Sequence, residues 1–469
     1  MRKRLMQSCG LALALTLPGC AFDGSGIGGT PTPDAQAMAD AAPAVDAPPG
    51  GGDDGGCPLS ATINFGGKTE PDVAGGPLAE VLVGDLITFT ANVDCAGGAP
   101  VTYRWAIQPD DGISDTFLPD LASAVVSFYA RKKQTYSISL QVTAGEAQAG
   151  DIELAQSHDW LVIDGLTPPE IRGLATGAGS LWIAGSGGAY RLPLVTHNGF
   201  VLLNDELTGD AIDDDLSEVL FDPSAPRLWF GKASDSDGVW RVDVGAGAPQ
   251  SAKVLYNGAD ALNSSASVRD FVVEGSGVAV TTSKGITVAT DGQTFIGLDK
   301  PDNKNPQALA SGAGRRWSGA NRLYDRDAGN QILDPFAGTT NTDSKIRTLA
   351  IDEAENELWA GSDDNGVARF NQQTDQSVNV FTVANSDLGS DRIRDLVVER
   401  TGPSAGDVWA ATDQGVSRYL RSRGVWVHMN AEHGLSGHLD VRALAIDDEG
   451  GQRTIYAGTT TGLVYIRVP

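Results

Sequence analysis

The sequence predicts an all-β protein in which a seven-bladed β-propeller follows a smaller β-sandwich. A sequence motif recurs about every 45 residues, which is typical of propeller blades. It consists of an apolar inner strand, a second strand with an aromatic residue and a third strand that begins with glycine. The chain of 469 residues also contains 58 glycines, and glycine supplies the positive φ angles of tight turns. No long helical periodicity competes with this pattern, so many short strands are expected.

Residues 1–19 are predicted to be a signal peptide. A basic start is followed by the apolar run at residues 11–17, which is too short to span a membrane. The segment Leu17-Pro18-Gly19-Cys20 resembles the bacterial lipobox, where a peptidase cuts before a cysteine that then receives lipid. The resemblance implies that Cys20 anchors the protein in the bacterial cell envelope, and Ala21 favours the outer membrane. The alternative is an ordinary secretory signal with an incidental cysteine.

Residues 20–56 are predicted to be a disordered tether. They consist mainly of Gly, Pro, Ala and Asp and cannot build a core, and as a flexible coil they would reach on the order of 30–40 Å. Of the four cysteines, Cys9 leaves with the signal and Cys20 carries lipid. Cys57 and Cys95 remain, and two cysteines in an exported protein suggest one disulfide.

Residues 57–157 are predicted to be the β-sandwich. Polar and apolar residues alternate along residues 86–94, 101–107 and 136–142, which indicates strands with one buried face. Trp105 is expected in the core between the sheets. The segments 84–89, 103–105 and 135–140 resemble the polycystic-kidney-disease-type (PKD) fold, which implies an immunoglobulin-like sandwich.

Residues 158–469 are predicted to be the propeller. Its inner strands are expected at residues 171–175, 216–221, 268–273, 307–310, 346–351, 393–398 and 441–446. Large residues of the second strands should fill the gaps between blades, at Trp182, Trp229, Trp317, Trp359, Trp409 and Tyr456, with Ala279 in the third repeat. The chain ends in a third strand, so residues 159–163 are predicted to supply the last fourth strand and close the ring. Alternatively, this segment is the final strand of the sandwich.

The repeat motif also resembles that of a known protein family. Ile346-Arg-Thr-Leu, Leu358-Trp-Ala-Gly361 and Gly366-Val-Ala-Arg-Phe370 together resemble the two-component regulator propeller repeat. That family supplies extracytoplasmic sensing domains of bacterial hybrid signalling proteins. The resemblance implies a sensor or scaffold module that binds a protein or glycan ligand.

Charge and motifs narrow the function further. The net charge of −26, with 34 basic residues against 60 acidic ones, argues against a nucleic-acid partner. The sequence contains no Gly-x-Ser-x-Gly elbow, His-Glu-x-x-His motif or P-loop, so no catalytic residue and no cofactor is assigned. We therefore expect a monomeric binding protein rather than an enzyme. The alternative is a propeller lyase or glycan hydrolase with its site at the channel mouth.

Recurrent arginines are the candidate binding residues. Each follows the first residue of an inner strand, so they should gather at one mouth of the central channel and could hold an anionic or carbohydrate ligand. They are Arg172, Arg269, Arg347, Arg394 and Arg442. The alternative is that each arginine ties its blade to the next through carbonyls or carboxylates.

No metal site is predicted. The acidic segments at residues 213–215, 235–238 and 363–366 have oxygen ligands suited to Ca²⁺ but are better explained as hairpin turns. His428, His433 and His438 lie five residues apart, and this spacing points their side chains in different directions.

Overall fold

The computed structural model describes residues 58–66, 69, 77–82, 86–94, 99–109, 121–130, 134–163, 170–194, 201–203, 212, 215–233, 238–245, 248–256, 267–290, 294–301, 305–337, 345–402, 404–448 and 453–468. Within these ranges the regular structure is almost entirely β-strand, and a short 3-10 turn spans Ala431–His433. The predicted all-β class is therefore confirmed. No helix in the described ranges has the length and apolar character needed to cross a membrane.

Two sheets come first and share one apolar core. The smaller sheet has the order β1 (Ser60–Asn64), β3 (Leu86–Asp94), β5 (Val125–Tyr129). The larger has the order β2 (Ala79–Leu82), β7 (Ala147–His158), β6 (Thr135–Ala144), β4 (Val101–Gln108), and only β2 and β7 run parallel in it. Phe89, Trp105 and Tyr136 are buried between the sheets, as the alternating pattern predicts. The Trp105 Nε1–H donates to the Ser123 carbonyl (2.9 Å).

Seven antiparallel four-stranded sheets follow in the described residues. The first three consist of β9 (Ile171–Gly177), β10 (Ser180–Gly185), β11 (Gly188–Pro193), β12 (Val201–Leu202); β13 (Leu216–Asp222), β14 (Arg227–Lys232), β15 (Val239–Gly245), β16 (Ala248–Tyr256); and β17 (Val268–Glu274), β18 (Gly277–Thr282), β19 (Gly285–Ala289), β20 (Ile296–Asp299).

The remaining sheets have the same up-and-down order. They consist of β21 (Ala308–Gly312), β22 (Arg315–Gly319), β23 (Leu323–Asp325), β24 (Gln331–Leu333); β25 (Ile346–Asp352), β26 (Glu357–Ser362), β27 (Val367–Asn371), β28 (Gln376–Phe381); β29 (Ile393–Val398), β30 (Val408–Thr412), β31 (Gly415–Leu420), β32 (Val425–Met429); and β33 (Val441–Asp447), β34 (Arg453–Thr459), β35 (Gly462–Val468), β8 (Leu161–Ile163).

The last sheet is completed by a strand that precedes the first one. β8 pairs antiparallel with β35, with Val162 opposite Val464, whereas β7 ends the larger N-terminal sheet at His158. Trp160, just before β8, is buried against Trp409. The first strands of consecutive sheets contact one another from β9 to β33, and β33 contacts β9. Pairing of β8 leaves no open edge on β35, which is the physical gain of such a closure.

Adjacent sheets pack through a repeated device. Fully buried indoles lie in the second strands at Trp182, Trp229, Trp317, Trp359 and Trp409. Two residues after the indole, Gly361 leaves room for the next sheet, because a Cβ there would lie 2.6 Å from Ile393 Cγ2. Gly458 of the last sheet receives Ile171 of the first in the same way, at 2.4 Å. The Trp-x-Gly part of the repeat therefore serves to pack adjacent sheets against each other.

A candidate functional site lined by arginines

The recurrent arginines lie at irregularities in the first strands. In six of the seven sheets of the described chain, the pairing register between the first and second strands shifts by one residue at the second position of the repeat motif. In the fifth sheet, for example, Ile346 pairs with Ser362 and Thr348 with Gly361, so no residue of the second strand lies opposite Arg347. A bulge of this kind redirects a side chain away from the regular pleat. The bulged residues are Arg172, Ser217, Arg269, Arg347, Arg394 and Arg442.

The structure brings all five predicted arginines to the wall of one cavity of about 550 Å³. Gln307, at the corresponding position of the fourth sheet, and Lys345 also line it. Six cationic side chains thus face four carboxyl groups, those of Glu170, Glu218, Asp270 and Asp395. In a protein whose net charge is −26, this cavity is a local concentration of positive charge.

Two of the arginines connect neighbouring sheets, as the alternative interpretation predicts. Arg172 pairs with Asp215 (Nη1 to Oδ1, 2.7 Å), which directly precedes the second sheet, and with Glu170 (Nη2 to Oε2, 2.7 Å). Arg269 donates from Nη1 to the Asn305 carbonyl (3.3 Å), ahead of the fourth sheet. These contacts position the sheets and occupy much of the donor capacity of Arg172.

The other three arginines differ in how far they are neutralised. Arg347 pairs with Asp363 (Nε to Oδ1, 2.6 Å) and donates to Gln307 Oε1 (3.1 Å). Arg442 pairs with Asp440 (Nη2 to Oδ2, 2.7 Å), and its Nε is buried without a partner. Arg394 makes no hydrogen bond or ion pair within the described part of the chain, and its Nε is likewise buried. Burial, followed by the nearby charge of Arg442, lowers the pKa of Arg394.

Three carboxyl groups of the first strands line the cavity beside the arginines. Asp270 accepts from the Phe271 N–H (2.7 Å) and from the Leu309 N–H of the next sheet (2.6 Å). Asp395 does the same with the N–H groups of Leu396 (2.7 Å) and Leu444 (2.8 Å). Each aspartate therefore joins two first strands through backbone hydrogen bonds.

Glu218 is the third of these groups and is held less firmly. Its Oε1 accepts from the Val219 N–H (3.0 Å) on its own strand. Because the three carboxyls are removed from bulk water, burial raises the pKa of Asp270 to about 7 and that of Asp395 to about 6. Burial and the charges of both aspartates raise the pKa of Glu218 well above its ordinary value.

A second cavity of about 470 Å³ adjoins the first. Both cavities are lined by Asp270, Thr348 and Asp395, so the carboxyl groups lie where the two meet. The second cavity continues between apolar residues such as Val272 and Leu349 and also reaches Arg400 and Asp448. The first strands thus line two adjoining cavities, with the arginines in one and the carboxyl groups of Asp270 and Asp395 where the two meet.

The other predicted candidates do not assemble into one site. His428 Nδ1 contacts Ser417 Oγ (3.1 Å), His433 Nδ1 accepts from the Asn430 N–H (3.1 Å), and His438 Nδ1 contacts Thr461 Oγ1 (2.9 Å). Within the described ranges, no three His, Cys, Asp or Glu side chains are grouped so that they could hold a metal ion. Of the acidic segments, Asp215 and Asp363 bind the cavity arginines.

Several predictions fall on residues that the structure does not describe. The lipidation residue Cys20 and the two cysteines of the predicted disulfide, Cys57 and Cys95, lie outside the described ranges. So do residues 213–214 and 235–237 of the acidic segments.

Sequence reasoning missed the carboxyl groups. Glu218, Asp270 and Asp395 follow the bulged position in their strands, where other repeats have small residues such as Gly173 and Ala443. The signal was an acidic residue inside an otherwise apolar strand, because such a residue needs local hydrogen bonds to be stable there.

Comparisons with known proteins support the fold only. No protein-family model matches the chain, and no curated protein matches it. Among solved structures, the chain is similar to the extracellular domain of a protein described as a hybrid two component system from B. thetaiotaomicron, at 17% identity and a TM-score of 0.52. The match covers 70% of this chain and 43% of that chain, so it spans less than half of the neighbour. A structure of the mitotic checkpoint complex is 13% identical, with 66% and 90% covered, but its TM-score of 0.47 is too low to carry an argument.

Proposed function

We propose that this protein is a lipid-anchored extracytoplasmic binding protein with a sensor or scaffold role, and that its ligand binds in the arginine-lined cavity. The cavity is the observation that carries the proposal. It is of small-molecule size, since ligand pockets span roughly 300–1,000 Å³. Five arginines from five different sheets converge on it. Arg394 makes no ion pair within the described residues, so joining neighbouring sheets does not account for all five.

The proposal assigns the seven four-stranded sheets of residues 158–469 to a seven-bladed β-propeller. The up-and-down order of each sheet, the cyclic contacts of the first strands and the pairing of β8 with β35 support this assignment. The similarity to an extracellular domain of a sensor-type protein is consistent with a binding module that faces away from the cytoplasm. The two N-terminal sheets, in residues 57–157, would form a PKD or immunoglobulin-like spacer.

The anchor is the part of the proposal that rests on sequence alone. Cleavage before Cys20 and lipidation of its thiol would hold the protein on the bacterial outer membrane, with residues 20–56 as a tether. Incorporation of labelled palmitate into the wild-type protein but not into Cys20→Ala would support this. Equal labelling of both would refute it.

An enzyme is the second candidate, because carboxyl groups do converge on the cavity. Asp270 and Asp395 are poor candidates for proton transfer, since both oxygens of each already accept backbone N–H groups. Glu218 is better placed, since its raised pKa suits a general acid. A binding role remains favoured because arginines outnumber carboxyls at the site.

The test is a thermal-shift screen of the purified chain against glycans, peptides and small acidic metabolites. A hit should weaken in Arg269→Gln and Arg394→Gln, while the exposed Arg392→Gln serves as the matched control. Hits that respond equally in all three variants would show that binding lies elsewhere. Turnover of a hit that is lost in Glu218→Gln would favour the enzyme.

A further inference from the structure

Arg394 lacks the carboxylate counter-ion that three other arginines of the cavity have. Arg172, Arg347 and Arg442 each have a carboxylate at 2.6 or 2.7 Å. Arg394 has none among the described residues, and its Nε is buried without an acceptor. A buried N–H group without an acceptor is costly, because it has lost water without gaining a hydrogen bond.

The surroundings of Arg394 add to the positive charge. Arg442 acts on it as a like charge, and the Nε of Arg442 is also buried without a partner. Both arginines line the cavity, and each has a buried Nε–H without an acceptor. Such a pair suits an anion with several oxygen atoms, which planar guanidinium groups bind through paired hydrogen bonds. The charges of Asp440 and Asp413 also act on Arg394, but neither carboxylate forms an ion pair with it.

We propose that Arg394 and Arg442 form an oxyanion subsite of the cavity that binds the carboxylate or phosphate group of a small polar ligand. This inference rests on the proposed binding function and adds the chemical class of the ligand.

The rest of the cavity restricts the ligand to one acidic group. Glu218, Asp270 and Asp395 also line the cavity, and ionised carboxyl groups would repel a second anionic group placed next to them. Hydroxyl groups suit that region, because they can donate to or accept from carboxyls and from Thr348. The ligand class is therefore a hydroxylated molecule with a single acidic end.

The experiment compares three probes that share a hydroxylated six-carbon skeleton. Gluconate carries a carboxylate, glucose 6-phosphate carries a phosphate, and glucose carries no charge. Each is titrated calorimetrically into the full chain at constant ionic strength. Saturable binding of at least one acidic probe is expected, with none for glucose, and the stronger acidic probe distinguishes a carboxylate from a phosphate source.

Variants assign the interaction to the subsite. Arg394→Gln should weaken the acidic probe at least about tenfold, since it removes a charged hydrogen-bond donor. Arg394→Lys keeps the charge and should retain part of the affinity. Arg392→Gln is the matched control, because Arg392 is exposed and pairs only weakly with Asp413 (Nη1 to Oδ2, 3.5 Å), and it should bind within about twofold of wild type.

Each outcome decides the inference. Unchanged affinity in Arg394→Gln with a native circular dichroism spectrum overturns it, as does binding of glucose equal to that of both acidic probes. If neither acidic probe binds the wild type, the oxyanion subsite is wrong, whereas the proposed binding function fails only if the wider screen also yields no ligand. If Arg394→Gln does not fold, loss of affinity in folded Arg442→Gln decides in favour, and retained affinity decides against.

Discussion

Two interfaces between consecutive four-stranded sheets differ in the side chains that form them. Between the fifth and sixth sheets, Trp359 lies in an aromatic cluster with Tyr419 (ring centroids 5.0 Å apart) and Trp426 (6.3 Å). Between the third and fourth sheets, the buried apolar cluster consists only of Ala279, Ile286 and Leu309 among the described residues.

The poorer interface is compensated by polar contacts. Asp270 of the third sheet accepts from the Leu309 N–H of the fourth, and Glu274 forms a buried ion pair with Arg326. The difference shows that neighbouring repeats can be held together in two ways. Burial of aromatic side chains does not depend on pH, whereas contacts made by buried carboxyl groups do.

The largest expected effect is at the aromatic interface. Trp359→Ala should lower the free energy of unfolding by about 3–5 kcal/mol, because it removes a fully buried indole and leaves a cavity. The matched change at the polar interface, Ile286→Ala, should cost about 2 kcal/mol, since fewer apolar neighbours are lost. Urea denaturation of both variants measures the difference. Equal losses would mean that the two interfaces are equally well packed.

A smaller effect is expected from the glycine that follows the indole. In Gly361→Ala the new Cβ would lie 2.6 Å from Ile393 Cγ2 and 2.7 Å from Thr348 Cγ2, so the sheets must separate, at about 1–3 kcal/mol. The third sheet has Thr281 at the same register and already accommodates a Cβ. Thr281→Ala should therefore cost about 1 kcal/mol or less, measured in the same denaturation series. A Gly361→Ala protein as stable as wild type would exclude the close fit.

An effect of similar size to that of Gly361→Ala is expected from pH at the polar interface. Because the folded-state pKa of Asp270 is raised to about 7, the folded protein binds its proton more tightly than the unfolded chain does. The stability that this proton contributes is present below about pH 4 and is lost as the pH rises through 7. Between pH 5 and pH 8 the loss due to Asp270 should be on the order of 2 kcal/mol.

The test of this dependence is a difference between two proteins. Burial lowers the pKa of His428, His433 and His438, and these groups make stability rise with pH instead. Asp270→Asn leaves the histidines unchanged, so wild type should lose stability relative to the variant from pH 5 to pH 8. Parallel pH profiles would show that Asp270 does not titrate in this range.

The repeat could be predicted from the sequence because the interactions that define its strands and turns involve residues close together in the chain. Alternation within strands, glycine at turns and a large residue at a constant offset are properties of neighbouring residues, and they predicted the all-β class, the buried Trp105 and the positions of the first strands. The cluster of arginines was also predictable, because residues at equivalent places in a repeat come to equivalent places in the assembly.

Tertiary structure decided which of these arginines have partners. Arg172 and Arg394 occupy the same position of the repeat, and the sequence differs two residues earlier, where Glu170 precedes Arg172 and Arg392 precedes Arg394. The second ion pair of Arg172, with Asp215 ahead of the next sheet, could not be read from the neighbouring residues. The burial of Glu218, Asp270 and Asp395 and the pairing of β8 with β35 depend on sheets that are far apart in the chain. Charge and hydrogen bonding act through space, so these features exist only once the sheets are assembled.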